Sequence, residues 1–230
     1  MRNSIFLLLA FLLGMSFVST AQTNSLSKRV DLGVHGGTQG FGINGAYSFS
    51  NKLGVRLSTS LASFARSDVR TWSGNEYNLS MNSNSGNAFM QAEYRPFNDT
   101  DNQSPFLQKL AVTAGAAYFY KLKGTASGVP TKDYQMGDLT INKEDIGSIN
   151  ATAKYKPLAP YAGLALRQMK IQSKLSLNID MGSHYLSAPE VTLTGDKLLS
   201  GNEANQTILE NNLKGYRWLP VLQLGLSYHL

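Results

Sequence analysis

Residues 222–230, at the end of the chain, alternate between apolar and polar without a break. Leu222, Leu224, Leu226, Tyr228 and Leu230 share one side of an extended backbone, and Gln223, Gly225, Ser227 and His229 share the other. The same period of two recurs upstream. Val30, Leu32 and Val34 oppose Asp31, Gly33 and His35, and Phe41, Ile43, Gly45, Tyr47 and Phe49 oppose Gly42, Asn44, Ala46 and Ser48. Further alternating segments lie at 53–62, 88–95, 110–121, 160–167 and 175–182, which makes eight strands. Each is near the ten residues or so that a tilted strand needs to cross a bilayer.

The connections alternate as well. Segments 50–52 and 171–173 are tight and 98–108 is of middling length, whereas 65–87, 124–156 and 187–215 are long and polar. Only 39–40 breaks the rhythm, as a short turn among the long ones. Barrels of the outer membrane have short periplasmic turns and long outer loops. A soluble barrel would show the same alternation, so the aromatic residues decide. Phe49, Tyr94, Phe97 and Tyr228 fall at one set of strand ends, and Phe41, Phe64, Tyr120, Tyr185, Tyr216 and Trp218 at the other. Two such bands are the girdles of a membrane barrel.

The expected fold is therefore all-β, an antiparallel up-and-down transmembrane β-barrel of eight strands. It becomes ten if the weakly alternating stretch 148–155 adds a hairpin to the ring. A short helix is expected over 205–214, with Leu209, Leu213 and Tyr216 on one face.

The start of the chain agrees with this address. Met1-Arg2-Asn3, an apolar core over 5–13 and Ser19-Thr20-Ala21 have the three-part layout of a signal peptide cleaved after Ala21. That leaves 22–230 as one barrel domain. No later window is greasy and long enough for a membrane helix, so a membrane form must cross as a closed sheet.

Charge and cysteine content mostly exclude. The formal charge is +6, and removing Arg2 with the leader leaves 20 − 15 = +5. The basic residues are scattered, which argues against a phosphate-tracking nucleic-acid surface and leaves a mild attraction to anionic lipopolysaccharide. With no Cys there is no disulfide, thiolate metal site or cysteine nucleophile.

Candidate chemistry lies on the inward face. By parity Asp31, Arg56, Glu93, Arg95, Lys121, Arg167 and Asp180 point into the lumen, as do Phe89 and Phe119. An eight-stranded barrel is only just wide enough for side chains. Unpaired buried charge is costly, so an ion-paired network that fills the lumen is expected ahead of a charged pore. Residues 40–45 match G-x-G-x-x-G, but a strand follows where a dinucleotide site needs a helix. His35, His184 and His229 lack a carboxylate cluster for a metal. His184 near the outer rim invites comparison with a hydrolase; Ser187 has the wrong parity, and Glu190 is nearby. The outer loops carry Trp72, Tyr77, Tyr134, Met136 and Ile141 among polar residues.

The segment Ala159-Pro160-Tyr161-Ala162-Gly163-Leu164-Ala165-Leu166 and the ending Leu224-Gly225-Leu226-Ser227-Tyr228-His229-Leu230 resemble the small outer-membrane β-barrel superfamily that includes OmpA, OmpX and OmpW. The resemblance implies that the last strand, through Leu224, Leu226, Tyr228 and Leu230, is the signal read by the barrel-assembly machinery. Family members usually end in Phe or Trp, and this chain ends in Leu230. It also implies a choice of roles: structural anchor, adhesin, narrow pore, carrier of small hydrophobic solutes or, rarely, lipid-modifying enzyme. The expectation is a non-catalytic monomer in the outer membrane, with an envelope-structural or surface-interaction role and no cofactor. Its partners are membrane lipid, lipopolysaccharide and the assembly machinery. An OmpW-like carrier or narrow pore comes second and a lipid-modifying enzyme third.

Overall fold

The computed structural model describes residues 29–72, 75–98 and 104–230; the leader expected over 1–21 lies outside them. In chain order the strands are β1 (Arg29–Gly37), β2 (Gly40–Ser48), β3 (Leu53–Trp72), β4 (Asn75–Tyr94), β5 (Leu110–Pro130), β6 (Tyr134–Met136), β7 (Leu139–Ile141), β8 (Ile149–Lys154), β9 (Leu158–Lys170), β10 (Leu175–Tyr185), β11 (Glu190–Gly195) and β12 (Trp218–His229).

Eight of them close a ring in the order β1-β2-β3-β4-β5-β9-β10-β12, every pair antiparallel. The first and last strands seal it, from Asp31 opposite His229 to Gly37 opposite Gln223. Closure satisfies every ladder without leaving an edge to lipid, which is what hydrocarbon demands. Burial follows the parity. On β12, Leu222, Leu224, Leu226 and Tyr228 face outward while Gln223, Ser227 and His229 are buried. Across the ring, Leu57 is 57% exposed and Arg167 only 1%. Water outside and charge inside would be inverted; lipid makes the arrangement consistent.

The wall does not stop at the membrane. Strands β3, β4 and β5 are 20, 20 and 21 residues long, about twice what a crossing needs. Of residues 65–87, expected as a polar loop, 65–72 and 75–87 are instead strand: the ladder runs from Phe64 opposite Ser83 to Trp72 opposite Asn75. With Ser and Asn on both faces, hydrophobic alternation is silent there. The stretch 148–155 is β8, which pairs with β11 and with 123–128 of β5, so it rises beyond the lipid and adds nothing to the ring. Together β3, β4, β5, β8 and β11 form a half-cylinder above one side of the barrel. The helix expected over 205–214 is present as Gln206–Leu213, preceded by a 3-10 segment, Lys197–Asn205. Both pack on β11, where Val191 and Leu193 are buried and the Leu193 N–H donates to Gln206 Oε1 at 3.2 Å. Leu209 and Leu213 are half-buried there, while Tyr216 is exposed.

Two irregularities reset parity. Between β4 and β5 the register shifts at Gly86/Asn87, so Tyr120 is an inserted residue. Both Tyr120 and Lys121 then lie on the outer wall, as side chains do at a β-bulge. Lys121, expected in the lumen, is exposed. The second bulge sits between β9 and β10 at Gln168, whose φ of 56° lies in the left-handed region; its N–H donates to Asn178 Oδ1 at 3.1 Å. Phe64 needs a different correction. It shares the parity of Arg56 and Ser60, so it extends the lumen-facing side above the ring and does not join the outer girdle.

Candidate functional site

The lumen is filled in layers, each set by which strands bring inward residues to the same height. At the periplasmic end, β1, β10 and β12 converge. His229 Nδ1 lies 2.6 Å from Asp31 Oδ1, and its Nε2 lies 2.5 Å from Ser176 Oγ; Arg29 Nε is 3.5 Å from the same Asp31 oxygen. Asp, His and Ser in this order have the distances of a nucleophilic triad. Ser176 is fully buried, however, so its hydroxyl is not presented to a substrate from solvent. Arg95, also buried, donates from Nη2 to Ser48 Oγ at 2.9 Å.

Above it, a continuous ladder crosses the barrel. Arg56 Nε donates to Glu93 Oε1 at 2.9 Å, and Arg167 Nη2 approaches the same oxygen at 2.8 Å. Arg167 then binds Asp180 through both nitrogens, Nη1 to Oδ2 at 2.8 Å and Nη2 to Oδ1 at 2.6 Å. Gln91 adds a bond to Asp180 at 3.3 Å. Two guanidinium groups and two carboxylates balance, so no net charge is stranded. Fork-to-carboxylate geometry is the strong form of such a bond. Removing one member of a buried set leaves the others uncompensated, at about 3–5 kcal/mol.

From the ladder, Arg56 Nη1 donates to Asn44 Oδ1 at 2.6 Å. That contact fixes the Asn44 amide, whose Nδ2 then donates to His35 Nδ1 at 3.2 Å. With Nδ1 accepting, the neutral ring carries its proton on Nε2 and donates to Ser60 Oγ at 2.8 Å. This His–Ser pair cannot take the serine's proton, so it is no activated nucleophile. Beside it a void of about 10 Å³, room for roughly one water, lies between polar side chains that include His35, Asn44, Arg56, Asp180 and Gln223 and the ring of Phe89.

The outer half of the lumen is apolar. Phe89, Ala117, Phe119, Ala159, Tyr161, Leu186 and Val221 form one buried cluster. His184 sits among its rings, at centroid distances of 5.0 Å from Phe89, 5.4 Å from Phe119 and 5.0 Å from Tyr161. It is 1% exposed, and neither Ser187 nor Glu190 is bonded to it. The hydroxyl end of Tyr161 reaches over Gly163 and Gly182, where an added Cβ would strike it. Among the described residues no group of three potential metal ligands occurs.

Of the seven lumen charges expected, six are buried or nearly so and four of them build the ladder: Arg56, Glu93, Arg167 and Asp180. Asp31 joins the periplasmic cluster, Arg95 binds Ser48, and Lys121 is outside. The Ser176–His229–Asp31 cluster went unseen in the sequence. Barrel closure, which sets the first strand against the last, is the signal that points to it.

No family model matches the sequence, and no curated protein matches it. Solved structures do. CarO2 of Acinetobacter baumannii is 24% identical with a TM-score of 0.59, and CarO of the same organism is 25% identical with a TM-score of 0.59; each comparison covers 90% of this chain and 100% of that one. A major outer membrane protein from Thermus thermophilus is 16% identical, with a TM-score of 0.46 over 89% of this chain and all of the other. In fold the chain is a small outer-membrane β-barrel, and its location is the outer membrane.

Proposed function

We propose that this outer-membrane protein is a non-catalytic anchor. Its filled barrel holds a rigid sheet outside the cell, where the sheet makes surface contacts and the barrel reinforces the envelope. One observation carries the reading: the Arg56–Glu93–Arg167–Asp180 ladder crosses the lumen beneath a layer of packed rings. The void beside the ladder, about 10 Å³, has room for roughly one water. The carrier alternative needs space for a solute at the level that Phe89, Phe119, Tyr161, Leu186 and Val221 fill, so no observation favours it. In the same reading Leu224, Leu226, Tyr228 and Leu230, all exposed along the last strand, are what the barrel-assembly machinery grips.

The test is electrical. Refolded mature protein in planar bilayers is expected to give no stable pore-sized conductance. Large, steady single-channel currents would overturn the proposal. A second measurement addresses the sheet: a variant with 66–81 replaced by an Asn-Gly turn is expected to keep a heat-modifiable barrel and yet fail to restore any surface phenotype lost in the deletion strain.

A further inference from the structure

The outer wall of the half-cylinder changes chemistry with height in an ordered way. On β5 the outward residues from Leu110 to Tyr120 are Val112, Ala114, Ala116, Tyr118 and Tyr120, all apolar or aromatic. Ten steps of about 3.4 Å on a strand tilted by roughly 40° rise about 26 Å, the height of a barrel's apolar band. The next outward residues are Lys121 and Lys123, and the bulge at Tyr120 is what turns Lys121 to this side. Lys123 stands directly opposite Lys154 of β8. Like charges in direct cross-strand register are destabilising on their own. Glu190 of β11 faces Lys154 from the far side and Asn84 of β4 faces Lys123, yet among the described residues none of these ammonium groups has a carboxylate within 4 Å.

Above the lysines the same face becomes a grid of short hydroxyls and amides. One row is Asn82, Thr125, Thr152 and Thr192, and the next is Ser80, Ser127, Asn150 and Thr194. Thr125 and Thr194 donate to the carbonyls of Asn82 and Asn150, at 3.5 Å each.

We propose that this wall is a binding site for a phosphorylated glycolipid of the outer leaflet. Acyl chains would lie along the apolar band, phosphate between Lys121, Lys123 and Lys154, and sugars against the Ser/Thr/Asn grid. The order of chemistry up the wall is the order of parts in such a lipid, and the facing lysines gain in the phosphate a counter-charge at contact distance, which Glu190 across from Lys154 does not give. The site is separate from the lumen and stands whether or not the barrel conducts.

The test uses the full mature barrel in lipid nanodiscs and three probes: bis-phosphorylated lipid A, the same lipid without phosphates, and inorganic phosphate. Wild type is expected to bind the phosphorylated lipid and to lose most of that binding when the phosphates are absent. Lys123→Gln/Lys154→Gln is expected to weaken binding roughly 30-fold, from the usual contribution of two lysines at an anionic lipid surface. Lys143→Gln/Lys214→Gln removes equal charge elsewhere and is expected to stay within about twofold, since only local charge counts at this range. Heat-modifiable mobility confirms that both variants fold. Equal binding of the phosphate-free lipid, an unchanged Lys123/Lys154 variant, or an equal loss in the control pair would each overturn the site. Full competition by millimolar inorganic phosphate would overturn the lipid assignment.

Discussion

Arg167 is the side chain on which the lumen depends most, because it holds Glu93 and Asp180 together. Arg167→Met strands the Asp180 carboxylate and leaves Glu93 with Arg56 alone, and is expected to lower stability by about 3–5 kcal/mol in urea unfolding from detergent or lipid. The fully buried Ser176 should behave as a structural hydroxyl: Ser176→Ala is expected to cost about 1 kcal/mol, and a fluorophosphonate probe should leave the folded protein unlabelled. Labelling of Ser176 at neutral pH would instead mark it as a nucleophile. The inward identity of these residues was readable from parity alone, since a period of two leaves no choice of face once the apolar side is assigned. Pairing was not readable. That Asp31 meets His229 depends on the ring closing between residues 198 apart in sequence. Lys121 was misplaced because one inserted residue, Tyr120, reverses parity, and nothing in its neighbourhood announces a bulge.

Glycine and tyrosine lock neighbouring strands at the level of elements. Gly182→Val would drive its Cβ into the Tyr161 ring and the Ala162 carbonyl. The expected result is a loss of about 1–3 kcal/mol, seen as a lower temperature for the heat-modifiable transition. At the β1–β2 turn Gly40 has φ of 84°, and a Cβ there would overlap the Leu61 carbonyl, so the turn admits only glycine. The membrane-spanning parts of the strands were legible because lipid forces apolar alternation on them. Their extensions into water were not, because Ser, Asn and Thr on both faces carry no such signal and read as loop. One ion pair ties the extension together: the Lys132 ammonium, bonded to Glu76 at 2.8 Å, holds that carboxyl below its ordinary value. A lowered carboxylate contributes above the ordinary carboxylate range and loses its contribution as pH falls through the lowered value. Protection factors of the amides near 76 and 131–132, corrected for intrinsic exchange, are therefore expected to fall in acid, and Lys132→Gln should remove that pH dependence.

At the scale of the whole molecule, three of the eight ring strands carry the structure outside the cell. Strands β3, β4 and β5 continue upward with β8 and β11, whereas β12, β1 and β2 end near the lipid surface. From Leu61 to Trp72 the extension of β3 is roughly 37 Å of strand at about 3.4 Å per residue. The molecule thus has a tall side and a low side in the plane of the membrane, like a chair with its back to one neighbour. A bulky membrane protein can press close only from the low side, so rotation about the bilayer normal decides which companions fit. In a crowded leaflet such a shape orders its surroundings by steric exclusion alone.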